Sequence, residues 1–409
     1  MINSFRFKSL TLFVFCLYLF WGFFGVDITI NGDALRFPLH RAYILLTLLI
    51  FCFNIKEFFE CSMKNSLLMI LIFYMFITAA WSSRPVDTFR FVVFLFSSLA
   101  ICILVALAYR DNQLRLIRWV FWLCFVLIIC SIVAALQFPQ YGINSTDFGT
   151  SRWIGITEHP NKLGGLSLAC IWLAINLYYL SSSKLEKIVA LFSIFAAFYT
   201  VIHADSMTSI LASILAVCYT SYWYLLSTKS SAVKIVIFTV AFLGSLIITT
   251  VYMSTSEIVS QTLALSGRDT SLTGRTLLWA NGLDALIDHP IIGSGFDDLE
   301  GLTKKYHILM SHLHNGYIEI LVKGGLVAGV LVFLILMGVF IKQMALKRLG
   351  NSSFVICHTG FVSILMHNMA ESSLFKGFNS LSIIFIFIMV YTSVAYYDAL
   401  GKNLISKSF

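Results

Sequence analysis

The chain has 409 residues, of which 59% are hydrophobic and 15% aromatic, with only 12% charged and a formal net charge of +8. About a quarter of an average soluble domain is charged, so the composition excludes an ordinary soluble protein and indicates an all-α integral membrane protein, one polytopic domain over 1–409. No basic stripe interleaved with aromatics occurs on a soluble face, which argues against nucleic acid and for a lipid or other anionic partner.

With about 20 apolar residues per bilayer crossing, the sequence predicts about twelve transmembrane helices, at 9–26, 42–55, 65–81, 91–109, 117–136, 162–181, 187–203, 208–227, 234–252, 316–341, 353–370 and 379–398. The first lacks a small-residue cleavage site and is followed by many similar segments, so it reads as a retained helix and not as a signal peptide. The nine cysteines lie almost entirely inside apolar runs without CxxC spacing and read as small core hydrophobes. Lys and Arg concentrate in alternate connections, including Arg6, Lys8, Lys56, Lys64, Arg110, Arg115, Arg118, Lys184 and Lys187. The other side carries fewer, namely Arg36, Arg41, Arg84, Arg90, Arg152 and Lys376. This bias places both termini in the cytoplasm and the long polar loop 253–315, between predicted helices nine and ten, outside. Within that loop, "RTLLWANGLDALID" (275–288) places Trp279, Leu283, Leu286 and Ile287 on one helical face, and "HPIIGSG" ends the pattern. A short amphipathic helix at the membrane surface is expected there.

The unusual polar stretches fall at outside ends under this topology: "WSSRPVDTFR", "TSRWIGITEHPNKLGG", "HADSMTS", "SGRDTSLTGRT", "SHLHN" and "HNMAESS". A site assembled from several loops and helix ends would have this pattern. Arg84, Arg90, Arg152, Arg268 and Arg275 suit bidentate contacts to phosphate oxygens, although headgroup contacts or salt bridges to Asp87, Asp269 and Asp284 are open to each of them. His312 and His314 would diverge by roughly 200° on a helix, and neither has a cysteine or second histidine pair at metal spacing, so no metal is expected and His312 is unassigned. Asn315 or His314 would cap the predicted helix at 316, where free amides and the positive dipole end favour an anion. His314 there suits a general base on a sugar hydroxyl or a donor to a leaving phosphate. Glu319 and Lys323, one turn apart, are expected to neutralise each other, and Gly324, Gly325 and Gly329 to permit close helix packing. His203, His307 and His358 read as structural.

Taken in order, "WSSRPVDTFR", "GITEHPNKLGG", "SGRDTSLTGRTLLW", "HPIIGSGFDD", "HLHNGYIEILVKGGLVAG" and "HNMAESSL" resemble the O-antigen ligase and polysaccharide polymerase superfamily of bacterial envelope enzymes, over roughly residues 80 to 375. The resemblance implies a twelve-helix, GT-C type inverting glycosyltransferase of the inner membrane. Its active site would be periplasmic and it would need no cofactor or metal. The implied donor is an undecaprenyl-pyrophosphate-linked glycan; the acceptor is another lipid-linked glycan, or lipid A core for a ligase, and a chain-length regulator is a candidate partner. It also implies His314 and Arg275 as catalytic, with Arg268, Arg152, Arg84, Arg90, Asn315 and Lys162 holding pyrophosphate or glycan. Ligases usually carry an arginine after the seventh helix, where this chain reads "HADSMTS" with Ser206, which favours the polymerase branch. A lipid-linked oligosaccharide transporter is the competing class, disfavoured because polar residues gather at one face instead of at the midplane of a repeat.

Overall fold

The computed structural model describes residues 6–24, 29–30, 33–34, 36–145, 151–226, 275–296, 300–306, 308, 312–377 and 379–406. These form an all-α membrane protein with two minor two-stranded hairpins. The helices are α1 (Lys8–Phe23), α2 (Arg36–Phe53), α3 (Ile55–Lys64), α4 (Ser66–Ile77), α5 (Pro85–Ala108), α6 (Gln113–Gln137), α7 (Pro139–Gly142), α8 (Pro160–Leu180), α9 (Lys184–His203), α10 (Met207–Leu226), α11 (Arg275–Asp288), α12 (Glu300–Tyr306), α13 (Gly316–Arg348), α14 (Ser353–His367) and α15 (Ser380–Ser406). Seven helices among the described residues are long and apolar enough to cross a membrane, or eight if the bent pair α2 and α3 is one crossing. Each predicted span has a helix at its place except 234–252, which lies outside the described residues.

Helices α5, α8 and α15 form the middle of the bundle. In α8 nearly every residue from Leu163 to Leu177 is buried, because its small residues let neighbours approach: a Cβ on Gly164 would meet Ser209 Oγ at 2.5 Å. Two departures from the sequence reading concern helix geometry. The chain turns by 94° after Phe53, and α3 buries Phe58, Cys61 and Ser62 while Lys56, Glu57, Glu60 and Lys64 stay on its outer side. The amphipathic face of α11 is rotated from the predicted one: Leu278, Gly282 and Ala285 are buried against Leu313 and Val322, whereas Leu283 and Ile287 are exposed. Apolar residues occur on both sides of this helix, so periodicity alone does not select the side that packs on protein.

Helix α13 is interrupted at Gly325, whose φ of 62° and ψ of −165° are not helical. Such a backbone is essentially restricted to glycine, and a Cβ here would lie 2.3 Å from the Ile291 carbonyl oxygen. The broken hydrogen bonds are replaced by the "HPIIGSG" stretch. Ser294 N–H donates to Val322 O, Gly295 N–H to Lys323 O, Leu326 N–H to Pro290 O and Val327 N–H to Ile291 O, at 2.8–3.1 Å. Tyr74 Oη donates to Ile292 O and Gly324 O, and Trp81 Nε1–H to Gly293 O. Thus Gly325 serves backbone geometry and not helix packing, and the outer turns of α13 are fixed by a loop from elsewhere in the chain.

Candidate active site

The polar motifs meet at one end of the bundle, where α8, α10 and α11 begin, α14 ends and α13 starts. The segment 312–315 that leads into α13 sits on α11: Trp279 Nε1–H donates to Leu313 O at 2.8 Å, and Leu313 is fully buried against this helix. Gly316 N–H reaches the carbonyls of Asn368 and Glu371 at 3.0 and 3.1 Å, which ties the start of α13 to the turn after α14. That turn is held by Asn368, whose side chain bonds Ile364 O, Ser373 N–H and Ser373 Oγ. His314 therefore adopts a left-handed conformation with φ of 49°, a strain of order 1 kcal/mol for a non-glycine residue.

Glu371 is the centre of the arrangement. Its Oε1 accepts from Arg275 Nη2 at 3.0 Å and from Asn161 Nδ2 at 2.6 Å, and its Oε2 lies 3.2 Å from His314 Nδ1. Arg275 also donates from Nη1 to Ala370 O at 2.7 Å. Burial alone would raise the Glu371 carboxyl, but the hydrogen bond from His314 and the nearby charges of His314 and Arg275 hold it at about 2. An ionised carboxylate only accepts, so the His314 nitrogen that faces it, Nδ1, carries a proton. Asn161 links this hub to Arg152, which donates from Nη2 to Asn161 Oδ1 and Asp205 O and from Nε to Ala204 O. Arg152 is presented by a hairpin pairing Ile143–Ser145 with Ser151–Trp153, pinned by Trp153, whose ring packs edge-to-face with Tyr199 and at a tilt against His203.

Two cavities flank the hub, and Asn161 lines both. One, of about 460 Å³, is lined by Arg152, Arg275, Asp205, Ser206 and Thr208 together with Met207, Leu211, Met366 and Met369. It combines two guanidinium groups with apolar walls. The other, of about 480 Å³, is lined by Glu158, His159, Lys162, His312, Lys323, His367, Glu371, Ser372, Ser373, Lys376 and Asn379 among others. It is the more polar in residue type. His312 lies with its ring 4.0 Å from that of His314, and burial, with Lys376 and His314 nearby, lowers it to about 3, so it is neutral. His159 is lowered by burial as well, and its Nδ1 accepts from Asn161 N–H as the cap of α8.

Of the residues proposed from sequence, His314, Arg275 and Arg152 come together around Glu371, and Lys162 lines the polar cavity in an ion pair with Glu158. Arg268 lies outside the described residues. Arg84 and Arg90 are placed differently: both pair with Asp87, at 2.7 and 3.3 Å, and neither lines either cavity. Asn315 caps α13: its Oδ1 accepts from Tyr317 and Ile318 N–H, and its Nδ2 donates one hydrogen to Met369 O. Glu319 and Lys323 do pair, at 2.8 Å. Glu371 was not singled out in sequence; its signal was the lone acid in "HNMAESS".

His312, His314 and Glu371 have donor atoms within 4.8 Å of one another, a spacing open to a metal ion. The donor set fits a dication poorly. Glu371 is already shared by Arg275, Asn161 and His314, and the cations Arg275, Lys323 and Lys376 surround the group.

A family model described as O-antigen ligase (Wzy_C) matches residues 192–333, from within α9 to within α13. Exopolysaccharide production protein ExoQ of Rhizobium meliloti is 27% identical over 287 residues, 67% of this chain and 63% of that protein. An uncharacterized protein of Haemophilus influenzae is 33% identical over 124 residues, 27% of this chain and 30% of that protein. These findings support the O-antigen ligase and polymerase superfamily. The chain thus spans about 63% of the length of ExoQ and less of the second relative. For the O-antigen ligase and polymerase superfamily, the matched stretch holds Arg275 and His314 but stops short of Glu371, so the hub joins the family segment to a later turn.

Proposed function

We propose that this protein is a polysaccharide polymerase working at the periplasmic face of the bacterial inner membrane, with both termini cytoplasmic. It moves a glycan from undecaprenyl pyrophosphate to the non-reducing-end sugar of another lipid-linked repeat. The bridge from Arg275 through Glu371 to His314, set between two cavities, carries the reading. The cavity with Arg152, Arg275 and apolar walls suits a lipid pyrophosphate, and the polar cavity suits an acceptor glycan.

In this reading His314 Nε2 takes the proton of the acceptor hydroxyl as its oxygen attacks the anomeric carbon. The bond from that carbon to the pyrophosphate oxygen breaks, with inversion, and the electron pair leaves with the pyrophosphate. Arg275 and Arg152 meet the negative charge that develops there, and Arg268 is proposed to assist. Glu371 holds His314 in the tautomer that frees Nε2. No metal takes part. The preference for polymerase over ligase is supported by "HADSMTS" with Ser206 at the start of α10, and by a relative whose name is exopolysaccharide production protein.

The test is purified protein given only lipid-linked repeat units. Longer lipid-linked chains are expected from the wild type, and none from His314→Ala or Arg275→Ala. Product formed only after addition of lipid A core would establish the ligase alternative, and normal elongation by both variants would overturn the assignment of the site.

A further inference from the structure

Among the described residues, the polar cavity carries a charge its own walls do not balance. Lys323 Nζ lies 2.8 Å from Glu319 Oε1, and Lys376 Nζ lies 3.6 Å from the same oxygen. The other oxygen of Glu319 accepts from Leu313 N–H. Two ammonium groups thus share one carboxylate oxygen, whereas the cavity's remaining cations are matched singly: Lys162 by Glu158, and Arg275, behind the wall, by Glu371. The Lys376 side chain is only 25% exposed and lines the cavity, and among the described residues its ion pair is this longer contact to a carboxylate oxygen that Lys323 already holds. An ammonium removed from bulk water with its charge only partly met is costly, and burial accordingly lowers the Lys376 pKa despite Glu319 nearby. The neighbouring wall also carries the Asn379 amide, a group that can bind sugar hydroxyls.

We infer that this cavity recognises its glycan through a negatively charged substituent, a carboxylate or phosphate ester on the sugars at the acceptor end, held by Lys376 with Lys323. The inference rests on the reading of this cavity as the acceptor site. Lys376 lies beside His312, whose ring touches that of His314, so the charged group belongs on the attacking sugar or its immediate neighbour. The protein is then selective for acidic glycans, and Lys376 is its specificity-determining residue.

Binding is measured with the full chain in nanodiscs at low salt and without any lipid-linked donor. Three oligosaccharide probes lacking lipid and pyrophosphate are compared: one ending in a hexuronic acid, its carboxyl-reduced counterpart, and the same neutral oligosaccharide bearing a terminal phosphate ester. The wild type is expected to bind an acidic probe about tenfold or more tightly than the neutral one, the yield of one charge-assisted hydrogen bond. The acidic probe that wins identifies the substituent. Lys376→Met should remove the preference and Lys376→Arg should keep it, both with the wild-type Tm. Equal binding of all three probes, or a preference that survives in a folded Lys376→Met protein, overturns the inference. Because no turnover is read, a protein that binds the acidic probe yet never elongates chains would refute the polymerase reading while leaving the anion site standing.

Discussion

Replacing Glu371 by glutamine keeps the shape of the hub and removes its charge. The carboxylate holds His314 Nδ1 at 3.2 Å and Arg275 Nη2 at 3.0 Å, in a position only 7% exposed. Each such charge-assisted bond is worth about 1.5–3 kcal/mol, so losing both costs the arrangement about 3–6 kcal/mol. At about 1.4 kcal/mol per factor of ten, this corresponds to a fall in kcat of roughly 10² to 10⁴. The loss should appear in kcat more than in KM, because glutamine leaves both cavities unfilled and unobstructed while the base and its cation lose their orientation. The assay is elongation of fluorescent lipid-linked repeats by purified protein, resolved on gels, with Tm measured in parallel. The carboxyl sits at about 2 in the folded chain against an ordinary value of 4.5. Its stabilisation is therefore complete above about pH 4.5 and fades as the pH falls toward 2, so the Tm difference between wild type and Glu371→Gln should shrink across that window. A variant with kcat within about threefold of wild type, or a Tm difference that is constant between pH 6 and 3, would refute the reasoning.

Gly325→Ala should destabilise the protein by about 3 kcal/mol or more, since a Cβ would meet Ile291 O at 2.3 Å in a backbone region closed to alanine; an unchanged Tm in detergent would show that the break is not needed. Arg84→Ala and Arg90→Ala, whose partially exposed pairing with Asp87 is worth only about 0–1 kcal/mol, are expected to leave elongation within about threefold of wild type. A loss approaching that of Arg275→Ala would return them to the site. Chain elongation should be unaffected by EDTA, because the cations Arg275 and Lys376 flank the His312, His314 and Glu371 group; activity lost to the chelator and restored by a divalent ion would defeat that charge argument.

Hydropathy located the helices well, because a bilayer crossing demands a long uninterrupted apolar run and few other structures tolerate one. It also brought the scattered polar motifs to one end of the bundle, where Arg152, Arg275 and His314 meet. Relations between distant residues were not legible. Glu371 finds Asn161 at a separation of 210 residues and Arg275 at 96, and a single acid in "HNMAESS" announces neither. The pair Gly324 and Gly325 looked like a packing surface within an apolar run, since only the docked 290–295 stretch reveals that the helix must break there. Asn315 had two readings at one position, anion site or cap, and the structure shows it capping α13 through Oδ1.

The interruption of α13 has a mechanical consequence. The part after Gly325, residues 326–348, is about 34 Å long at 1.5 Å per residue, enough to cross the hydrocarbon layer without help. Membranes differ in thickness, and a crossing helix answers by tilting. In an unbroken helix that tilt would be passed on to the start of α13 and to His314 just before it. Here both sides of Gly325 are tied to the 290–295 stretch, Val322 and Lys323 through their carbonyls and Leu326 and Val327 through their N–H groups, while Glu319 accepts from Leu313 N–H. A change of tilt would then be taken up below Val327, away from the polar end of the bundle.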